Sequence, residues 1–218
     1  WFQSLAFFQT WQKDLELPQE SIVMPMASIN RKFFCGTIHG EILHFDTVSG
    51  EGFELNQVEG TDPINCLMVS KSHIISGSDD GILRLYSNDS FDIVFQYSIT
   101  EDPSILYGNV LSCTLDSTMS KIIVGTGYGH IISLEIEDYA DTMRQKEVSF
   151  SDTKFQAEKL VDSHADRIVG LAHVSNGKTA GVCVSCGKDG TVRFFNPKTN
   201  SVDYTVYCHS KFTCLCGI

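Results

Sequence analysis

One string of eleven residues recurs four times along this chain, and the distance between its copies constrains the fold more than any other feature. Every copy has a glycine at the end of a turn, an aliphatic residue two positions later and a bulky apolar residue five positions later. The copies lie at residues 35–45, 76–86, 124–134 and 185–195. Their turn glycines are 41, 48 and 61 residues apart, which predicts similar folded units joined by loops of growing length.

Each copy is predicted to form a β-hairpin, because two runs of β-forming residues flank a tight turn that ends in glycine. Glycine adopts the positive φ that such a turn needs. A short apolar run precedes each hairpin, at 22–26, 64–69, 110–115 and 168–173, and a more polar run follows it, at 53–58, 93–97, 159–162 and 203–208. We call the four strands of a unit a, b, c and d. Units of this size predict the four-stranded antiparallel blades of an all-β propeller.

The repeat predicts a single propeller domain, or part of one, over residues 1–218. Its blades are expected at 21–60, 61–100, 108–163 and 164–209, with an outer strand of a preceding blade in 1–20 and the first strand of a next blade in 210–218. Propellers close their ring so that no strand edge stays open. The two end strands cannot complete one blade, so we expect about four complete blades of a longer, seven-bladed ring, or missing strands supplied by a partner.

The four copies resemble the WD-repeat family, whose blades carry a histidine before strand a, a Ser-Gly-Ser-x-Asp-Gly turn and a Trp-Asp pair after strand c. Residues 76–86 follow this pattern with Tyr86 in place of Trp, and 163–172 supply the histidine of the fourth blade as His164. No copy contains Trp-Asp. The resemblance implies a hydrogen-bonded network of histidine, serine or threonine, the turn aspartate and the tryptophan. Only the fourth blade has both His164 and Asp189, and it lacks the indole donor.

Charge and motifs limit the function classes. The net charge of −11, from 27 acidic and 16 basic residues, disfavours binding to a nucleic-acid backbone and favours partner proteins with basic surfaces or peptides. No apolar stretch is long enough for a membrane span, and the apolar opening lacks the basic start of a signal peptide, so we expect an intracellular protein, cytoplasmic or nuclear. No nucleophile elbow, phosphate loop or His-Glu-x-x-His motif is present. We therefore predict a non-catalytic interaction scaffold, a complex subunit without a cofactor.

Two alternatives stay open at this point. A ribonucleoprotein component could contact RNA through a local basic or aromatic patch, and an enzyme domain could use a polar pocket near the centre of the ring. A metal site is disfavoured: Cys183 and Cys186 are three apart on a predicted strand and so face opposite ways. Cys214 and Cys216 share a face near Cys208 and His209, but continue an apolar strand pattern. The cysteines are expected to be mainly buried free thiols.

The fold places candidate contact residues in its turns, because loops carry function on a rigid scaffold. The predicted contact set on the turns between strands b and c is His39, Asp79, Asp80, Tyr128, Lys188 and Asp189. Predicted structural residues are Gly40, Gly81, Gly129, Gly190 and His164. Arg84 and Arg193 are expected to cover a blade surface. The charged stretch 137–156 is predicted to be an insertion between strands c and d of the third blade, either a binding loop or mobile.

Overall fold

The computed structural model describes residues 23–49, 52–54, 62–99, 108–116, 121–135, 156–159, 164–175 and 181–208. Within these ranges sixteen strands form four antiparallel sheets, each with its strands side by side in chain order. Blade 1 contains β1 (Val23–Ile29), β2 (Lys32–Thr37), β3 (Ile42–Asp46) and β4 (Gly52–Glu54). Blade 2 contains β5 (Ile64–Val69), β6 (His73–Ser78), β7 (Ile82–Ser87) and β8 (Ile93–Ser98).

The other two blades repeat this order. Blade 3 contains β9 (Val110–Leu115), β10 (Lys121–Thr126), β11 (Ile131–Glu135) and β12 (Gln156–Lys159). Blade 4 contains β13 (Ile168–Val174), β14 (Val182–Gly187), β15 (Thr191–Asn196) and β16 (Ser201–Tyr207). The predicted fold class, a partial propeller of four-stranded blades, is confirmed.

The inner strands of blades 2 and 3 are buried on both faces because each of these blades lies between two others. All six residues of β6 are buried, whereas most of the outer strand β16 is at least partly exposed. A strand covered on both faces is a nearly continuous apolar run rather than an alternating one. Strand b is therefore rich in buried aliphatic residues. These are Ile74 and Ile75 in blade 2 and Ile122, Ile123 and Val124 in blade 3.

Each blade has a forward face, on the side of the next blade in chain order, and a rear face, on the side of the preceding one. The second and fourth residues after the turn glycine lie on the forward face, and the third and fifth on the rear face. Leu83 and Leu85 of blade 2 thus share a buried cluster with Ile132 and Leu134 of blade 3. Similar clusters join blade 1 to blade 2 and blade 3 to blade 4. Such burial contributes about 1.5–3 kcal/mol for each large aliphatic side chain.

A β-bulge recurs at the start of strand a in blades 2, 3 and 4. The pairing of β5 with β6 moves from Ile64 directly to Cys66 and leaves out Asn65. The same irregularity passes over Leu111 in blade 3 and Val169 in blade 4. A bulge redirects the side chain of the residue it adds. The recurrence shows that blades 2, 3 and 4 are equivalent down to individual backbone positions.

The described strands agree with most of the predicted ones. Strand a coincides with the prediction in blades 2 and 3, while strand d of blade 3 lies at Gln156–Lys159 rather than at 159–162. The predicted end strands in 1–20 and 210–218 and nearly all of the insertion 137–156 lie outside the described residues, as do His209, Cys214 and Cys216. Within the described ranges there is no helix long and apolar enough to cross a membrane.

Candidate functional site

The turns between strands b and c meet the residues that precede strand a on one side of the blades, which we call the turn face. In blades 2, 3 and 4 the same backbone hydrogen bond joins the two. The amide of Asp79 donates to the carbonyl of Pro63 (3.0 Å), that of Gly127 to Asn109 (3.1 Å) and that of Lys188 to Arg167 (2.9 Å). The four turn glycines that follow have φ between 76° and 82°, as a tight hairpin turn requires.

A groove of about 600 Å³ crosses the turn face from blade 2 to blade 4. It is lined by Asp62, Asp79, Gly108, Asn109, Leu111, Gly127, Tyr128 and Arg167. Asp62, Asp79 and Arg167 are exposed, and the Tyr128 ring is 61 % exposed. The groove therefore offers two carboxylates, one guanidinium and one aromatic surface to a ligand.

The bulges of strand a shape this groove. In blade 2 the bulge residue Asn65 donates its side-chain amide to Asp79 Oδ1 (2.7 Å) and to the carbonyl of Val110 (3.1 Å). The side-chain amide of Asn109 donates to the same oxygen of Asp79 (2.7 Å). In blade 3 the bulge residue Leu111 lines the groove directly. Two neutral amide donors from adjacent blades thus hold the Asp79 carboxylate in place. Neither of these contacts brings a cation to the carboxylate.

A close backbone approach fixes the Tyr128 side of the groove. A Cβ atom at Gly127 would overlap Oδ1 of Asn109, so a larger residue there would displace the Asn109 side chain. Tyr128 follows directly and extends outward from the turn. The turn and the start of strand a are joined here by the amide of Gly127 and the carbonyl of Asn109.

Blade 4 contains a buried network centred on His164. Its Nε2 lies 2.8 Å from the Ser185 hydroxyl, and its Nδ1 lies 3.1 Å from Asp189 Oδ1 and 2.9 Å from the Thr191 hydroxyl. The Thr191 hydroxyl also donates to Asp189 Oδ1 (2.8 Å). Two backbone amides donate to the same carboxylate, that of Ala165 to Oδ2 (2.8 Å) and that of Thr191 to Oδ1 (3.0 Å). These contacts fit a neutral imidazole in which Nδ1–H donates to the carboxylate and Nε2 accepts from serine.

The electrostatics of this network agree with a neutral histidine beside an ionised aspartate. Burial is the main cause that lowers the pKa of His164, and it outweighs the opposite effect of Asp189. Burial alone would raise the pKa of Asp189, but the hydrogen bonds from Ala165, Thr191 and His164 lower it to about 2. The order Ser-His-Asp is that of a hydrolase triad, yet the side chain of Ser185 is completely buried and no substrate can reach its hydroxyl here. The network holds the turn of blade 4 in place.

Blade 2 has a different network at the same position. Arg84, 6 % exposed, places one guanidinium nitrogen 2.7 Å from Asp80 Oδ2 and the other 3.0 Å from the Ser78 hydroxyl. Ser78 also donates to Asp80, which accepts from the amide of Ile82 (2.8 Å). The expectation that Arg84 covers a blade surface is wrong, because its charge is buried and paired within the blade.

The predicted contact residues all lie in the turns, but they divide into three groups. Asp79 and Tyr128 come together in the groove. Asp80 and Asp189 are used within their own blades, so we assign them a structural role in place of the predicted contact role. His39 and Lys188 lie in the turns of blades 1 and 4 and are not among the lining residues. The sequence did not single out Asp62, Asn109 and Arg167, although their position directly before strand a is the signal that could have found them.

None of the cysteines in the described ranges forms a disulfide, and four of them, Cys35, Cys66, Cys183 and Cys186, are buried. Cys183 pairs with Phe195 and Cys186 with Val192, so the two cysteines lie on opposite faces of the blade. Burial raises the pKa of Cys183 to about 12. No group of three or more potential metal ligands occurs within the described part of the chain.

Comparison with known proteins agrees with the repeat. The family model described as "WD domain, G-beta repeat" matches residues 52–87 and 156–196. Each match begins with strand d of one blade and ends with strand c of the next, so the sequence repeat is offset by one strand from the sheet. WD repeat-containing protein 90 of Mus musculus is 26 % identical over 176 residues, and that of Homo sapiens 25 % over 170 residues. The matches cover 75 % and 73 % of this chain but only 8 % of either relative.

Solved structures share the fold at low sequence identity. The computationally designed Ika4 protein is 16 % identical, with a TM-score of 0.60 over 85 % of this chain and 98 % of its own. U3-55K is 19 % identical, with a TM-score of 0.55 over 72 % of this chain and 42 % of its own. The repeated hairpins and the four blades agree with this match, and the chain is similar to WD40 repeats over the two matched segments.

Proposed function

We propose that this chain is a non-catalytic protein-interaction module that binds a basic segment of a partner protein in the groove of the turn face. WD40 repeats generally serve as scaffolds for protein interactions, and relatives with this name support that class. The groove is the observation that carries the finer proposal. It spans three blades, so its shape depends on the fold and not on one loop.

The chemistry of the groove favours a lysine or arginine side chain. Asp62 and Asp79 are exposed carboxylates at one end, and Asp79 is oriented by Asn65 and Asn109. Tyr128 provides an aromatic face on which a cation can lie. The net charge of −11 attracts a basic segment from a distance.

Arg167 gives the other end of the groove the opposite charge. It is exposed and lies before strand a of blade 4, across the groove from the carboxylates of blade 2. A bound segment that places a carboxylate or a backbone carbonyl near Arg167 would be fixed in one direction. An RNA ligand would also use Arg167 and Tyr128, but the two carboxylates in the same groove repel its phosphates.

Binding to defined probes tests the proposal. The purified protein is titrated with peptides that differ only in carrying lysine and arginine, neutral residues or acidic residues, and with a single-stranded RNA oligonucleotide. We expect the basic peptides to bind and Asp62→Lys to weaken them about tenfold, the effect of one lost charge contact. Tyr128→Ala should weaken them too, and Asp79→Asn, which keeps both amide contacts, should remove only the charge.

Asp92→Lys is the matched control, since it makes the same charge change at an exposed residue between strands c and d of blade 2, away from the turn face. Equal losses for Asp62→Lys and Asp92→Lys would contradict the groove. Binding of RNA in place of the peptides would support the ribonucleoprotein alternative and reject the proposal. The predicted intracellular location stays a proposal.

A further inference from the structure

Two cysteines of neighbouring blades lie at the interface between blades 2 and 3. Cys66 is in β5, the inner strand of blade 2, and Cys113 is in β9, the inner strand of blade 3. These two strands are in contact. Cys66 is buried, Cys113 is partly exposed, and both belong to the apolar cluster that joins the two blades. The pair lies outside the groove of the turn face and outside the buried networks of blades 2 and 4.

The pairing register directs the Cys66 side chain towards blade 3. Cys66 pairs with Gly77 of strand b, and directly paired residues of an antiparallel sheet place their side chains on the same face. A Cβ atom at Gly77 would overlap a methyl group of Val110 in blade 3 and would lie 2.7 Å from the Cys66 sulfur. The Cys66 thiol therefore lies on the forward face of blade 2, where blade 3 packs against strand b.

The register directs the Cys113 side chain back towards blade 2. Its neighbour Ser112 pairs with Gly125, and a Cβ atom at Gly125 would lie 2.7 Å from Ile168 in blade 4. Ser112 is thus on the forward face of blade 3. Because successive side chains of a strand alternate between its faces, Cys113 is on the rear face. The two thiols enter one interface from opposite sides.

The two thiols are also in direct contact. A hydrogen bond with Cys113 is the first cause that raises the pKa of Cys66 well above its ordinary value, and burial is the second. Cys183 offers a comparison within the same fold. Burial and the charge of Asp116 raise the pKa of Cys183 to about 12, and no other thiol is among the causes. Cys66 therefore has a partner for sulfur chemistry that the buried Cys183 lacks.

Packing does not require two cysteines at this place. The equivalent positions between blades 3 and 4 hold Ser112 and Leu171, since Ser112 pairs with Gly125 as Cys66 pairs with Gly77. The repeat thus accepts a hydroxyl opposite an aliphatic side chain. We propose that Cys66 and Cys113 form a modification site that a hydroperoxide converts into a reversible disulfide between blades 2 and 3.

Hydrogen peroxide supplies the oxidising equivalents. Cys113 is the more exposed thiol and reacts first: its sulfur, as thiolate, attacks one peroxide oxygen, the O–O bond breaks, and the hydroxide released takes up the thiol proton to give water. The product is a sulfenic acid. The Cys66 sulfur then attacks the Cys113 sulfur, the S–O bond breaks, and hydroxide leaves as water with the Cys66 proton. Two thiols and one peroxide yield one disulfide and two waters. A dithiol reductant reverses the bond by exchange.

Mass spectrometry of the full-length protein tests this site. The protein is treated with increasing hydrogen peroxide, the remaining thiols are alkylated in denaturant, and linked peptides are identified before and after dithiothreitol. We expect a Cys66–Cys113 disulfide that forms about tenfold faster than Cys183 is modified, because an isolated buried thiol is inert. Dithiothreitol should remove the link. Free thiols at both positions, or a disulfide from either one to a different cysteine, would overturn the proposal.

Cys66→Ser is the matched variant, because Ser112 fills the equivalent position in blade 3. Without the second thiol, oxidation should stop at the sulfenic acid of Cys113, so trapping by dimedone at Cys113 should rise about tenfold over the unsubstituted protein. Cys208→Ser is the control and should leave both the disulfide and the dimedone signal unchanged. Equal trapping in Cys66→Ser and the unsubstituted protein would show that Cys66 does not react with the sulfenic acid. These readings use no peptide and are independent of binding in the groove.

Discussion

Blades 2 and 4 place an aspartate before the same turn glycine and surround it with different partners. In blade 4 the buried partner of Asp189 is a neutral histidine that comes from the residue stretch before strand a. In blade 2 the partner of Asp80 is Arg84, four residues further along the same hairpin. The histidine ties strand a to the turn, whereas the arginine ties the hairpin to itself. A repeat can therefore keep one turn geometry while it changes the charge state and the reach of the network that holds it.

The largest expected effect comes from removing the carboxylate of blade 2. Asp80→Ala leaves the Arg84 guanidinium, 7 % exposed, without its ion pair, and an unpaired buried charge costs about 3–5 kcal/mol of the free energy of unfolding. Asp189→Ala should cost less, about 2–3 kcal/mol, because it leaves the amides of Ala165 and Thr191 without their acceptor but leaves no unpaired buried charge. Urea denaturation of the two variants measures the difference.

The double variant Asp80→Ala with Arg84→Met is the control. Replacing both members of a buried pair by apolar groups is often nearly neutral, so the double variant should regain most of the lost stability. If the double variant were as unstable as Asp80→Ala, the loss would stem from the turn and not from the unpaired charge.

A glycine in blade 3 provides the next prediction, because it connects that blade to the network of blade 4. The carbonyl of Gly129 accepts from the amide of His164 (2.9 Å), and a Cβ at Gly129 would overlap the carbonyl oxygen of His164. Gly129→Ala should therefore cost about 3 kcal/mol, more than the roughly 1–2 kcal/mol expected from positive φ alone. Gly81→Ala in blade 2, where φ is 76°, supplies that reference value. Thermal unfolding that ranks the two equally would contradict the coupling.

Local sequence patterns determine how much of the fold and of the candidate site could be predicted from the sequence. The turn glycines and the strands b and c follow from a repeated string and are independent of neighbouring blades. Strand d of blade 3 was misplaced by three residues, because Gln156–Lys159 has no apolar alternation and lies at the outer edge of the sheet. The burial of Arg84 could not be predicted, since a polar residue on strand c signals exposure unless its partner is known. The groove depends on residues before strand a, and their meeting with the turns requires the packed blades.

The smallest effect concerns pH and distinguishes the two networks directly. Burial holds the pKa of His164 below its ordinary value of 6.5, so the unfolded chain takes up a proton at higher pH than the folded protein does. The free energy of unfolding is therefore fully retained above about pH 6.5 and falls as the pH decreases through the folded pKa. His44 and His73, whose pKa values burial also lowers, act in the same direction.

His164→Gln should show a smaller difference between urea midpoints at about pH 7.5 and about pH 5.5 than the unsubstituted protein. The blade 2 double variant removes no histidine, so it should keep the full pH difference. An unchanged pH difference in His164→Gln would show that the histidine is not held neutral, and the contrast between the blades would then lie in geometry alone.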